Sequence, residues 1–174
     1  MMQPVVFDPA GLRVGQGYDV HAFAEGRRLI LGGVDIPHAR GLLGHSDADV
    51  LAHAISDALL GGIRGGDIGK LFPDTDPAYK GADSLKLLAA VADKVRAEGY
   101  DILDVDSVIA AQAPKLSPYR EAMRENLAAA MGIAAENVGV KATTTEHLGF
   151  EGREEGISAT AVCILFRRSD EQRN

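Results

Sequence analysis

A single cysteine, Cys163, serves the whole chain of 174 residues, so no disulfide can form within it. It sits in the apolar run from Ala159 to Phe166, which reads as a buried strand in which the thiol has no partner. Basic residues are also scarce: 18 Lys and Arg against 25 Asp and Glu leave a net charge of −7. That balance argues against nucleic acid as a partner, because neutralising a phosphate backbone needs a cationic excess. A small phosphorylated ligand is still compatible with it, held by backbone amides, local cations and bound metal. No apolar stretch approaches the roughly 20 residues that cross a bilayer, and the N-terminus lacks the basic and apolar segments of a signal peptide. The expectation is a cytoplasmic protein with no membrane contact. Internal repeats, linkers and low-complexity segments are absent, and 46% of the residues are apolar. One domain at 12–167 follows, with an N-terminal extension at 1–11 and a charged tail at 168–174.

Alternation over Leu12 to Phe23 predicts a strand, with Gly15 and Gly17 marking close approach by a ligand or another backbone. Leu29–Leu31 and Val34–Ile36 flank a Gly-Gly pair as a hairpin would, and Pro37 ends it. A helix is expected from about Ser46, capped by Ser46 with Asp49 three residues on, and running to Gly61-Gly62. Val50, Leu51, Ala54, Ile55, Ala58 and Leu59 form its apolar stripe. Asp49, His53 and Asp57 then share the opposite face, ordinarily a solvated one. Residues 61–81 read as a long loop whose apolar Ile68, Leu71 and Phe72 argue against disorder. Asp83 or Ser84 caps a second helix closed by Gly99, and 101–111 alternate as a strand. Ser117-Pro118 reads as N-cap and first residue of a third helix, ending near Met131 before Gly132. Val138–Val140 and Ile157–Phe166 are the last strands. This order predicts an α+β fold, one mixed sheet with helices on one face. The other face needs a cover, which self-association can supply.

Several groups of residues carry chemistry. Asp19-Val20-His21 puts a carboxylate and an imidazole on one face of a strand, with Val20 turned away. With His53 they make a carboxylate and two imidazoles with one position open, a pattern shared by catalytic zinc sites and non-haem iron. The plain alternative is two unrelated surface histidines and a capping aspartate. Lys141-Ala142-Thr143-Thr144-Thr145-Glu146 offers hydroxyls and amides to phosphate, and a carboxylate to a hard cation such as Mg²⁺. A threonine run is equally a matter of strand propensity. Asp67, Asp74 and Asp76 can accept from polyol hydroxyls or simply form turns beside Pro73 and Pro77. Ala111 to Leu116 exposes backbone groups able to read a nucleobase edge, or is a plain connection. Arg153 is a phosphate contact or half of a surface ion pair.

Five motifs occur together: Gly-Tyr-Asp-Val-His at 17–21, His-Ser-Asp-Ala-Asp-Val-Leu-Ala-His at 45–53, Gly-Asp-Ile-Gly-Lys-Leu-Phe-Pro-Asp-Thr-Asp at 66–76, Ala-Gln-Ala-Pro-Lys at 111–115 and Lys-Ala-Thr-Thr-Thr-Glu at 141–146. As a set they resemble the 2-C-methyl-D-erythritol 2,4-cyclodiphosphate synthase family, from about Arg13 to Phe166. The resemblance implies Zn²⁺ on Asp19, His21 and His53, and Mg²⁺ or Mn²⁺ on Glu146 and a diphosphate. It implies His45 and Thr144 as groups that stabilise the transition state, with Ser46 and Asp57 as substrate contacts. Asp67, Ile68, Gly69, Phe72, Asp74 and Asp76 are implied around the methylerythritol part. Ala111, Pro114, Lys115, Leu116, Ala142 and Thr143 are implied around cytidine diphosphate, with Phe150 and Arg153 as further contacts. Leu116 and His147 depart from the family's usual residues, which bears on fine specificity. A homotrimer with sites between subunits is implied, covering the bare sheet face. The implied reaction converts 4-diphosphocytidyl-2-C-methyl-D-erythritol 2-phosphate to the cyclodiphosphate with release of CMP. Two other readings use the same ligand set: a non-catalytic trimeric metal- or nucleotide-binding module, and an iron-dependent oxygenase.

Overall fold

Alternation with period two decides the first long element. Along Leu12–Ala24 (β1) the odd positions Gly15 and Gly17 are buried while Val14, Gln16, Tyr18 and Val20 face outward. The structure is a computed structural model that describes residues 9–73 and 81–168. The termini of the expected extension and tail, and Asp74 and Asp76, lie outside the described residues. After β1 come Leu29–Leu31 (β2), Val34–Ile36 (β3) and Gly41–Leu42 (β4), then helices Val50–Gly62 (α1), Ile68–Leu71 (α2) and Ser84–Ala97 (α3). Tyr100–Ala110 (β5), Arg120–Met131 (α4), Val138–Thr143 (β6), Gly149–Gly152 (α5) and Gly156–Arg167 (β7) complete the order.

The main sheet has the order β4-β1-β7-β5-β6, and β2 and β3 form a separate hairpin. β7 runs antiparallel to both β1 and β5, whereas β5 and β6 are parallel, so β1, β5 and β6 end on one side. A register shift between Ile102 and Asp104 leaves Leu103 as an exposed bulge residue. Helices α1, α3 and α4 lie over the face formed by Ile157, Ala159, Ala161, Cys163 and Leu165, each nearly solvent-free. Among the described residues, none covers the middle of the opposite face. Val14, Tyr18, Val20, Val162 and Ile164 stand on it at 41–64% exposure, an apolar patch that a monomer rarely leaves uncovered.

Three local expectations change. α1 starts at Val50, and Asp49 is its N-cap, accepting from Ala52 N at 3.1 Å. Asp49 is also fully buried, because its carboxylate takes the N–H groups of Gly32 and Gly33 at 2.9 and 2.7 Å. It therefore joins the β2–β3 turn to the helix start, and does not belong to a solvated stripe. Burial raises its pKa against the pull of those three amides. Ser117 and Pro118 open a short 3₁₀ turn at Ser117–Tyr119 with no side-chain cap, and α4 follows from Arg120. Within 61–81 a turn of helix, α2, interrupts the expected loop. Asp83 does cap α3, through Leu85 N at 3.0 Å.

Glycine sets the distance between α1 and the sheet. A Cβ on Gly15 would lie 1.8 Å from the Ala58 carbonyl, and one on Gly17 would lie 2.0 Å from that of Ala54. Neither leaves room for a side chain, so the helix rests on β1 backbone. Gly61 has no such neighbour within 3.6 Å. Gly17→Ala should therefore destabilise the protein by about 1–3 kcal/mol, while Gly61→Ala should stabilise it by about 0.4–1 kcal/mol; denaturant unfolding separates the two. Cys163 donates to the Ala58 carbonyl at 3.2 Å, and burial pushes its thiol up to about 11. At pH 8 it should resist a thiol reagent until the chain is unfolded.

Candidate metal centre and nucleotide pocket

Asp19 and His21 follow Gly17 on the helix-facing side of β1, and His53 precedes Ala54 on the helix laid against that strand. The close helix–strand contact thus brings the three side chains together. Asp19 Oδ2 lies 3.0 Å from His21 Nε2 and 3.1 Å from His53 Nδ1, and the two nitrogens are 3.2 Å apart. Tetrahedral coordination with bonds of 2.0–2.1 Å requires donor separations of about 3.3 Å, so the triangle is near the size for such an ion. Among the described residues these three form a cluster able to hold a metal. Its chemistry agrees. His21 Nδ1 is 2.6 Å from the Leu43 carbonyl, which can only accept. His21 Nδ1 therefore carries a proton, and Nε2 is the nitrogen that faces Asp19. A carboxylate oxygen and two imidazole nitrogens at these separations are held together by shared protons or by a metal cation between them.

The electrostatics point the same way. Burial opposes charge on Asp19, but hydrogen bonds and charge from His21 and His53 outweigh it and hold the carboxyl well below its usual range. Burial likewise opposes charge on His21, and the hydrogen bond and charge of Asp19 raise its pKa. On its far side, His53 Nε2 lies 2.9 Å from Ser84 Oγ and 3.2 Å from Ser46 Oγ. Ser46 Oγ also accepts from Ala48 N at 3.1 Å.

A cavity of about 390 Å³ opens beside this cluster, lined among others by His45, Ser46, Ile68, Gly69 and Phe72. Five residues expected at the substrate thus border it. Two expected contacts have structural duties. Asp57 Oδ1 accepts from Ile68 N at 2.7 Å, fastening the loop to α1, and burial raises its pKa against that bond. Asp67 caps α2 by accepting from Lys70 N at 2.8 Å.

A second cavity, of about 350 Å³, lies where β5 and β6 end. Ala111, Pro114, Lys115, Leu116, Ala142 and Thr143 line it, together with Thr144. Arg120, which sequence reasoning missed, adds a cation at its wall. Gln112 ties the two sides together, its Oε1 accepting from His147 N at 3.1 Å. Glu146 is not part of the metal cluster; its Oε1 accepts from Thr144 Oγ1 at 3.0 Å, on a backbone with φ of 53°. Phe150 sits half-buried in α5, and Arg153 pairs with Glu155 at 2.7 Å on the surface. Asp19, Ala159, Ile109 and Ala142 are in register across the sheet, three strand spacings or roughly 14 Å from end to end. The two cavities therefore stand at the same end of one sheet without sharing a wall.

Ser84, Asp47 and the Leu43 carbonyl surround the metal cluster and were also missed. Ser84 reads from sequence as an ordinary helix start, and a carbonyl carries no residue-type signal.

The YgbB family model matches residues 12–166. The 2-C-methyl-D-erythritol 2,4-cyclodiphosphate synthase of Geotalea uraniireducens (strain Rf4) is 62% identical over 157 residues, 90% of this chain and 100% of that protein. Among solved structures, the bifunctional IspDF of Campylobacter jejuni superposes with a TM-score of 0.87 at 45% identity, over 91% of this chain and 43% of that one. A CDP complex of Plasmodium falciparum IspF gives 0.80 at 34% identity, over 91% and 98%. With zinc as the probe, His53→Ala should lower bound metal from about one ion per chain to background while the circular dichroism spectrum is kept. Full occupancy in that variant would remove His53 from the ligand set.

Proposed function

Because this chain belongs to the 2-C-methyl-D-erythritol 2,4-cyclodiphosphate synthase family, we propose that it catalyses that cyclisation as part of isoprenoid precursor synthesis. The substrate is 4-diphosphocytidyl-2-C-methyl-D-erythritol 2-phosphate. An oxygen of the 2-phosphate forms a bond to the β-phosphorus, the bond from that phosphorus to the bridging oxygen breaks, and CMP leaves with the electron pair. The attacking phosphate is already an anion, so no general base is required. The observation that carries this reading is the Asp19–His21–His53 triangle beside a cavity, at donor separations of 3.0–3.2 Å.

The chain's own residues supply alignment and charge. Ile68, Gly69, Phe72 and Asp67 border the methylerythritol part, with Asp57 holding that loop to α1, and Asp74 and Asp76 are assigned to the same part from their motif alone. Ala111 to Leu116, Ala142 and Thr143 hold the cytidine diphosphate, and Lys115 offsets phosphate charge. His45 and Thr144 donate to oxygens that gain charge as the transition state forms, and Ser46 contacts a phosphate. Holding the two phosphates in line is worth about 7–11 kcal/mol in favourable intramolecular reactions. Asp19, His21 and His53 would hold zinc and Glu146 would hold Mg²⁺ or Mn²⁺, and the ions would supply Lewis-acid neutralisation of two groups that otherwise repel. Phe150 and Arg153 are further contacts at the substrate's edge.

The working unit we propose is a homotrimer whose bare sheet faces meet at the centre. Tyr18, Val20, Val162 and Ile164 supply the apolar surface for it. The metal centre of one subunit and the nucleotide pocket of its neighbour then share a substrate. A cytoplasmic setting fits the lone, buried thiol of Cys163. Purified protein supplied with Zn²⁺ and Mg²⁺ should release CMP from the diphosphocytidyl substrate; metal-replete protein that releases none would refute the reading. Thr144→Val should lower kcat by roughly 10²–10³-fold with the fold intact, the usual loss when one transition-state donor is removed.

A further inference from the structure

Behind His53 lies a pair of residues with no part in the chemistry above. Ser84 is 1% exposed at the first turn of α3. Its hydroxyl donates to Asp47 Oδ1, and its backbone N–H donates to Asp47 Oδ2 at 3.1 Å. Asp47 Oδ1 also accepts from Asp49 N at 3.2 Å. Three donors on one carboxylate make Asp47 an acceptor and nothing else. A serine alone is ambivalent, able to donate or accept. Here its one proton is committed to Asp47, so toward His53 Nε2, 2.9 Å away, Ser84 can only accept. Ser46 Oγ is farther, at 3.2 Å, and its proton is under no such constraint.

We infer that the Asp47–Ser84 pair is a positioning device that makes Nε2 the protonated nitrogen of His53 and Nδ1 its metal nitrogen. This rests on the metal-centre reading above. His21 has the mirror arrangement: its Nδ1 is committed to the Leu43 carbonyl and its Nε2 faces inward. Both imidazoles are thus set in the ligating tautomer by an acceptor outside the cluster, one a backbone carbonyl and the other a serine converted to a pure acceptor by a carboxylate. The pair also joins distant segments. Asp47 N donates to the Ala82 carbonyl at 3.0 Å and Gly81 N to that of His45 at 2.8 Å, so the start of α3 is tied to the approach to α1.

Two measurements test the assignment, both on the full chain loaded with zinc. In ¹⁵N-histidine-labelled wild type, His53 should show zinc on Nδ1 and an exchange-protected proton on Nε2. In Ser84→Ala, zinc affinity by chelator competition should fall roughly 10–100-fold, the usual loss for an outer partner of a metal histidine, and the Nε2 proton should broaden into exchange with water. Zinc on Nε2 in the wild type would overturn the inference, whether or not the variant folds. Unchanged affinity in a folded Ser84→Ala would overturn it too. Wild type that takes no zinc would instead refute the metal-centre reading on which the inference stands.

Discussion

The contact between the backbone of β1 and helix α1 is the constraint on which the site depends. Gly15 and Gly17 leave no side chain in the way, and the carbonyls of Ala54 and Ala58 occupy the space where Cβ atoms would be. Everything downstream inherits that spacing. The same face of β1 carries Asp19 and His21 two and four residues beyond Gly17, and His53 lies next to Ala54 in the chain. A helix standing off by the width of one methyl group would separate the imidazole of His53 from the other two donors. The close contact also buries Cys163 under the helix, where its thiol donates to the Ala58 carbonyl.

Convergence of three donors has an electrostatic cost that neighbouring groups offset. Asp19 stays charged despite partial burial because both imidazoles favour the carboxylate. The outer nitrogens meet acceptors, so the inner ones are free to bind a cation. An acidic chain thereby prepares a locally cation-seeking centre for a polyanionic substrate. Against a net charge of −7, Lys115 and Arg120 place two cations at the wall of the cavity where β5 and β6 end.

The sheet separates two tasks by its faces. One face buries small and branched residues of β7 beneath three helices, and the other presents an uncovered apolar strip. The two cavities open where β1, β5 and β6 end, on a rim that the strand register aligns. The cavity where β5 and β6 end belongs to connections after strands, where backbone groups are free to read a ligand and the scaffold behind them is rigid.

Much of this was legible from residue order alone. Alternation in Leu12–Phe23, the Gly-Gly hairpin, the Asp83 cap and the Gly132 stop are local signals, and the structure follows each of them. The pairing of Asp19 with His21 is equally local, since period two puts both on one face. The start of α1 was misread because Ser46 and Asp49 are both good caps, and only contact with Gly32 and Gly33 selects Asp49. The role of Ser84 was invisible for a related reason: a hydroxyl's direction is set by its partners, and Asp47 and His53 lie 37 and 31 residues away. Sequence therefore determined the elements, the donor types and the family. Tertiary structure decided which donors meet, which nitrogen of each histidine faces inward and which sheet face stays bare, because those depend on distances between segments far apart in the chain.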